Sequence, residues 1–286
     1  MQSYFINFIL KLNKKYFFKK PHPFNTSKKG VLNLNYSDFE YSHAKDLLAM
    51  YSEFIDLKEF KNKSILEVGC GAWGKSVYIA EKYDSNVTWL DINDNFLSQA
   101  RIKSKEHNVD NKAEFINVSA LDTKFDDNMF DIIIMSDVIE HIPNTELLFD
   151  EMFRVLKKGW IILFDFASYY HYFWHHLWDT IQIPWIHIFF TDKFLIKLYK
   201  ESVKWLVDWD SRIKLRIWNN NWKEVFDYLN NITRKDFEKI IWNFLSKSNT
   251  QSHNIKYFML KNFNFLSKIP LLREIFIRHI IWYIKK

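Results

Sequence analysis

Between Ser64 and Phe166, short apolar runs alternate with segments of helical spacing. The runs Ser64–Val68, Asn86–Leu90, Ala113–Val118, Phe130–Met135 and Trp160–Phe166 read as strands. Lys75–Lys82, Asp94–Lys105 and Thr145–Val155 read as helices. Ile132, Ile133 and Ile134 are apolar at successive positions, the pattern of a strand covered on both faces. This alternation predicts an α/β fold with a doubly wound, mainly parallel Rossmann-like sheet. Ahead of it, residues 1–20 read as a basic amphipathic helix or arm. Pro21, Pro23, Asn25, Ser27 and Gly30 mark a loop. Ser37–Leu57 carries Leu47, Leu48, Tyr51 and Phe54 at helical spacing.

Beyond Phe166 the pattern changes. Residues 167–190 are aromatic and histidine-rich, broken by Pro184, and either pack as a lid helix pair or wall an apolar pocket. Residues 191–286 carry helical patterns with polar breaks at 219–221 and 246–252. Pro270 opens an expected final amphipathic helix with Leu272, Ile275, Phe276, Ile280 and Tyr283 on one face. The expected division is therefore 1–57, a basic arm with helices; 58–166, the α/β core; and 167–286, an aromatic, largely helical C-terminal cap.

Composition narrows the class. A chain of 286 residues with 48% hydrophobic and 26% charged side chains has enough apolar material for a globular core. One cysteine, Cys70, excludes an internal disulfide and a cysteine-based zinc site, and suits a reducing, cytoplasmic setting. The N-terminus does not read as a signal peptide, and no run reaches the ~18 apolar residues of a membrane span. The net charge of +6 is unevenly spread. Residues 1–30 hold seven lysines and no acid, residues 252–286 hold seven basic groups and one acid, and residues 61–165 hold 12 basic and 18 acidic groups. Basic ends favour an anionic substrate or peripheral contact with an anionic lipid surface at the inner face of a membrane. The basic-aromatic run from Lys14 to Lys20 would also permit RNA, but no nucleic-acid module accompanies it.

Three of the five glycines fall within residues 69–74. The segment Ile65-Leu66-Glu67-Val68-Gly69-Cys70-Gly71-Ala72-Trp73-Gly74 runs from a strand into a helix, where glycine lets the backbone approach a ligand and a helix start offers free N–H groups. Asp91 closes the next strand, at the ~20-residue spacing of an acid that binds ribose hydroxyls. Gly69, Gly71 and Gly74 match the dinucleotide fingerprint. Yet Glu67, at the mouth, opposes a pyrophosphate and suits a nucleoside that carries an amino group.

On these residues the chain resembles the class I S-adenosylmethionine-dependent methyltransferases. The resemblance covers residues 62–166. It includes Phe125–Asp131, Ser136-Asp137-Val138-Ile139-Glu140-His141-Ile142 and Met152–Gly159. It implies S-adenosyl-L-methionine as cofactor. Glu67 and the backbone of Gly69, Cys70 and Gly71 would hold its methionine part, Asp91 its ribose, and Ile92 its adenine. Ser119-Ala120-Leu121 stands where the family often has Gly-Asp-Ala, and Trp73 where a small residue is usual. Ser136 and Asp137 would face the sulfonium. The tail, His175-His176-Leu177 and Ile183-Pro184-Trp185-Ile186-His187, resembles that of bacterial small-molecule methyltransferases.

Methyl transfer rests on alignment, with a base needed only where the acceptor loses a proton. Candidates are His141, His171, His175, His176, Asp179 and His187, with His176 and His187 the preferred pair. His171 and His175 have the i, i+4 spacing of a helical metal pair but no evident third ligand, so no metal is expected. The reading is a methyltransferase acting on a small-molecule or lipid-like acceptor, at oxygen, with methylation at carbon or nitrogen left open within the same class. The alternatives are a non-catalytic scaffold, a membrane-surface protein and, more weakly, an RNA methyltransferase.

Overall fold

The computed structural model describes residues 2–18, 36–69, 74–92, 94–220, 223–226, 229–259, 269 and 274–286. Its elements run α1 Gln2–Leu12, α2 Tyr36–Tyr51, β1 Ser64–Val68, α3 Gly74–Tyr83, β2 Asn86–Leu90, α4 Asp94–Glu106, β3 Ala113–Ile116, β4 Phe130–Ser136, α5 Thr145–Val155 and β5 Leu156–Phe166. Beyond these come α6 Ile186–Phe189, α7 Asp192–Val203, α8 Trp209–Arg216, β6 Trp218–Asn220, β7 Lys223–Val225, α9 Arg234–Lys247, β8 Ser252–Met259 and β9 Ile277–Lys285.

Among the described residues, seven strands form one sheet in the order β3-β2-β1-β4-β5-β9-β8. The first four neighbouring pairs are parallel, while β9 runs antiparallel to both β5 and β8. Period-2 alternation sorts the side chains between two layers. Leu66, Val68, Ile133 and Met135 pack with Phe149 and Met152 of α5 and Phe237 and Ile241 of α9. Ile65, Ile132 and Ile134 pack on the other face with Leu48 of α2, Val77 of α3 and Leu97 of α4. Both faces are covered, as the expected doubly wound sheet requires.

Several elements depart from the sequence reading. The expected final helix is the strand β9. Its Ile280, Ile281, Trp282 and Ile284 are all buried, and a β-branched run apolar on both sides suits a covered strand better than a helix with one wet face. Leu272 lies outside the described residues. β5 begins at Leu156, not Trp160, with a register shift against β4 and a left-handed turn at Gly159 (φ +79°). Residues 169–180 form turns rather than a helix, so His171 and His175 lack helical i, i+4 geometry. The strands β6 and β7 form a small antiparallel hairpin where a polar break was expected.

The N-terminal arm is docked. Ile6 and Ile9 of α1 share an apolar cluster with Leu177, Ile181 and Leu195. Buried Asn13 clasps the same segment: its Nδ2 donates to the Thr180 carbonyl (2.8 Å) and its Oδ1 accepts from the Gln182 N–H (2.8 Å).

Candidate functional site

The sheet reverses its winding between β1 and β4, and crevices at the carboxyl ends of such strands are where α/β folds bind ligands. Register brings the acids there together. Val68 pairs with Leu90 and Met135, and Ser136 pairs with Asp165, so Glu67, Asp91, Ser136 and Asp165 share one end of the sheet.

Glu67 is buried and its Oε2 has no hydrogen-bond partner. Burial pushes its carboxyl up to about 8; the Lys75 charge opposes that shift, and Glu40 and Asp91 add to it. Gly69 follows with φ +64°, and its N–H donates to the Leu90 carbonyl (2.8 Å). A Cβ there would sit 2.7 Å from Val138 Cγ2, so glycine is required by both backbone and space. Cys70, Gly71 and Trp73 lie outside the described residues. Asp91 is buried at the end of β2, and its carbonyl accepts from Asn117 Nδ2 (3.2 Å). Ile92 beside it is 78% exposed, available to cover a flat ligand. Ser119 Oγ accepts from the Leu121 N–H (3.2 Å), Ala120 is buried, and Leu121 packs on the core.

Ser136 Oγ accepts from Lys75 Nζ (3.1 Å) and donates to Asp165 Oδ2 (3.3 Å). Exposed Asp137 follows with φ +52°. Asp165 Oδ1 accepts from the buried Tyr51 hydroxyl (2.6 Å). Burial and the Asp137 charge push Asp165 up to about 6. Lys75 also pairs with Glu40 (3.1 Å). The mouth is thus an acidic ring with one lysine inside it. Sequence reasoning missed Glu40, Tyr51, Lys75 and Asp165. Two signals were present: Lys75 opposes the dipole at the start of α3, and Asp165 is an acid closing the apolar run Ile161–Phe164.

The two histidines expected as bases sit in different surroundings. His176 lies against His141, ring centroids 5.2 Å apart, whereas His187 lies against Tyr169 and His175. Burial and the neighbouring His141 hold His176 well below the usual imidazole range. Burial lowers His187 to about 4, and its Nε2 donates to the Tyr169 carbonyl (2.8 Å). Burial thus biases both rings toward the neutral form. His175 Nδ1 accepts from the Leu177 N–H (3.0 Å), and His171 Nδ1 from the Phe173 N–H (3.3 Å). Asp179 is engaged in structure: its Oδ2 accepts from Arg212 Nη1 (2.8 Å) and the Tyr199 hydroxyl (3.2 Å).

A doubly wound sheet with glycine and acids at its switch point is the arrangement with which α/β proteins bind nucleosides. Residues 66–164 match the family described as Methyltransferase domain. Over 114 residues the chain is 37% identical to phosphoethanolamine N-methyltransferase of Triticum aestivum, across 39% of this chain and 22% of that one. It is 34% identical over 117 residues to 24-methylenesterol C-methyltransferase 2 of Arabidopsis thaliana, across 40% and 32%. The chain thus spans about a third or less of the length of these curated relatives. Geranyl diphosphate C-methyltransferase from Streptomyces coelicolor, solved with Mg2+, geranyl diphosphate and S-adenosyl-L-homocysteine, shares the fold. Its TM-score is 0.51 at 12% identity, over 99% of this chain and 97% of that one. Residues 66–164, within the α/β core, are thus similar to methyltransferase domains, for which S-adenosylmethionine is the cofactor the resemblance implies. The residues present fit that cofactor: the unpartnered Glu67 oxygen suits an amino group, and the Gly69 turn clears a backbone approach.

Proposed function

We propose that the chain transfers the methyl group of S-adenosylmethionine to a small-molecule or lipid-like acceptor, at oxygen. The observation that carries this reading is the buried Glu67 oxygen without a partner, beside the Gly69 turn and one strand from Asp91. When bound, S-adenosylmethionine supplies the methyl group as a sulfonium. Glu67 and the Gly69 turn would hold its amino-acid end, with Cys70 and Gly71 assigned to the same role from the sequence motif alone. Asp91 would accept from the ribose hydroxyls. Ile92 and the Ser119-Ala120-Leu121 turn would flank the adenine. Ser136 and Asp137 would stand on the sulfonium side. On the acceptor side we assign His176 and His187, whose burial favours the neutral form in which an imidazole accepts a hydroxyl proton. Aromatic rings pack against both, Trp174 on His176 and Tyr169 on His187, and alignment of acceptor with methyl would supply most of the acceleration, on the order of 7–11 kcal/mol. A small or lipid-like acceptor accords with the relatives, which are named for phosphoethanolamine and a methylenesterol.

Calorimetric titration with S-adenosylmethionine and S-adenosylhomocysteine tests the site. Micromolar binding is expected, weakened tenfold or more in Asp91→Ala. Folded protein that binds neither ligand would overturn the reading in favour of a non-catalytic scaffold. Transfer of labelled methyl into extracted lipids and metabolites then identifies the acceptor and its atom.

A second reading, compatible with the first, is peripheral docking on an anionic membrane surface. Tyr4, Phe5 and Phe8 of α1 are exposed, as is Phe189 of α6, and Phe5 lies 6.0 Å from Phe190. Lys11, Lys14 and Lys15 are exposed alongside. Among the described residues, no helix is long and apolar enough to cross a membrane.

A further inference from the structure

Glu140 and His141 share the short turn Ile139–His141 that follows β4. His176 arrives from the turns after β5, in the left-handed region at φ +49°. A carboxylate oxygen of Glu140 and one ring nitrogen from each histidine lie within 4.8 Å of one another. Glu140 is 1% exposed, and its Oε2 has no hydrogen-bond partner. A carboxylate shut away from water with an unused oxygen is costly unless something occupies that oxygen.

The turn that carries it is held in place. Asn230 Nδ2 donates to the carbonyls of Ile139 (2.7 Å) and Ile142 (2.9 Å), and the Asn230 N–H donates to the Glu140 carbonyl (2.8 Å). Such outer support fixes the orientation of ligands around an ion. A second trio, Asp137, Asp165 and His279, is equally close. There, however, Asp165 already accepts from Tyr51 and Ser136, one hydrogen bond on each oxygen. Glu140 keeps its spare oxygen.

We propose that Glu140, His141 and His176 bind one divalent transition-metal ion, with the remaining coordination positions open. Two imidazoles and one carboxylate are donors for Zn2+, Mn2+, Fe2+ or Co2+, and they disfavour Ca2+ and Mg2+, which take oxygen ligands. The site adjoins the candidate cofactor mouth, since Glu140 feels the charges of Asp137, Asp165 and Lys75. An ion there would anchor an acceptor through an oxygen and lower the pKa of its hydroxyl. His176 then serves as a ligand, and His187 alone keeps the proton-accepting role. The catalytic part of this inference rests on the methyltransferase reading; the binding of the ion does not.

The test uses the full chain, stripped with a chelator and titrated calorimetrically with Zn2+ and, separately, with Co2+ followed by its visible absorption. One ion per chain is expected at micromolar affinity or tighter, with Mg2+ at least a hundredfold weaker. Glu140→Gln and His141→Ala each weaken Zn2+ binding tenfold or more and alter the Co2+ spectrum, while His187→Ala changes neither. His141 is exposed, so His141→Ala carries the test should Glu140→Gln fail to fold. Absence of stoichiometric binding, or binding unchanged in His141→Ala and His176→Ala, overturns the proposal. S-adenosylmethionine binding measured on the same samples separates the readings. Cofactor bound without metal sinks the ion site alone, and metal bound without cofactor sinks the methyltransferase reading alone.

Discussion

At the scale of single residues, Glu67 ties stability to cofactor binding. Burial raises its carboxyl from the ordinary 4.5 to about 8, so the folded chain holds a proton that the unfolded chain releases. Its contribution is neutral below about pH 4.5, where both states are protonated. It then destabilises progressively as pH rises, levelling off once pH passes about 8. Glu67→Gln is therefore expected to raise Tm most at pH 8 and above, by on the order of a few kcal/mol of stability, and to converge with the wild type near pH 4.5. Thermal unfolding across that range checks it. A cationic amino group favours the carboxylate, so wild-type affinity for S-adenosylmethionine rises from pH 6 to 8, and Glu67→Gln abolishes that slope. The turn at Gly69 and the acid Asp91 after β2 could be placed from the sequence because strand ends and glycine turns are local properties; their role toward a cofactor is our proposal. Lys75, Tyr51 and Asp165 converge from α3, α2 and β5, and no local pattern announces that meeting.

At the scale of elements, β9 marks where local pattern and tertiary demand diverge. Its apolar positions admit a helical face, but the open edge of β5 needs a hydrogen-bonding partner, and a flat run apolar on both sides supplies one. The strand sits between β5 and β8 with its isoleucines buried. Amides of residues 280–284 are expected to exchange with solvent as slowly as those of residues 132–135 in β4. Hydrogen exchange read by mass spectrometry or NMR checks it, and fast exchange in β9 alone would make that strand peripheral. The five parallel strands were legible because short apolar runs, most of them separated by amphipathic helices, pack as a parallel sheet with helices on its faces.

At the scale of the whole molecule, basic ends flank an acidic centre, and the docked α1 carries exposed aromatics beside its lysines. Co-sedimentation with anionic vesicles is expected at ~0.1 M salt and is expected to be lost near ~1 M, where screening shortens to about 3 Å. Phe8→Ser, at an exposed position on α1, should weaken binding to anionic vesicles while leaving S-adenosylmethionine affinity unchanged. Retention at high salt on neutral vesicles would replace the electrostatic account with a purely apolar one.

The order of residues by itself determined the strand-and-helix succession, the glycine turn after β1 and the acid closing β2. These follow from side-chain period and backbone freedom within a few residues. Tertiary structure alone decided that residues 277–285 complete the sheet and that Asn13, just after α1, clasps the turns after β5. It also decided that Glu140 and His141 meet His176. Each depends on which surfaces the folded core leaves open, because distant segments pair only where buried hydrogen-bonding groups and apolar faces require a partner.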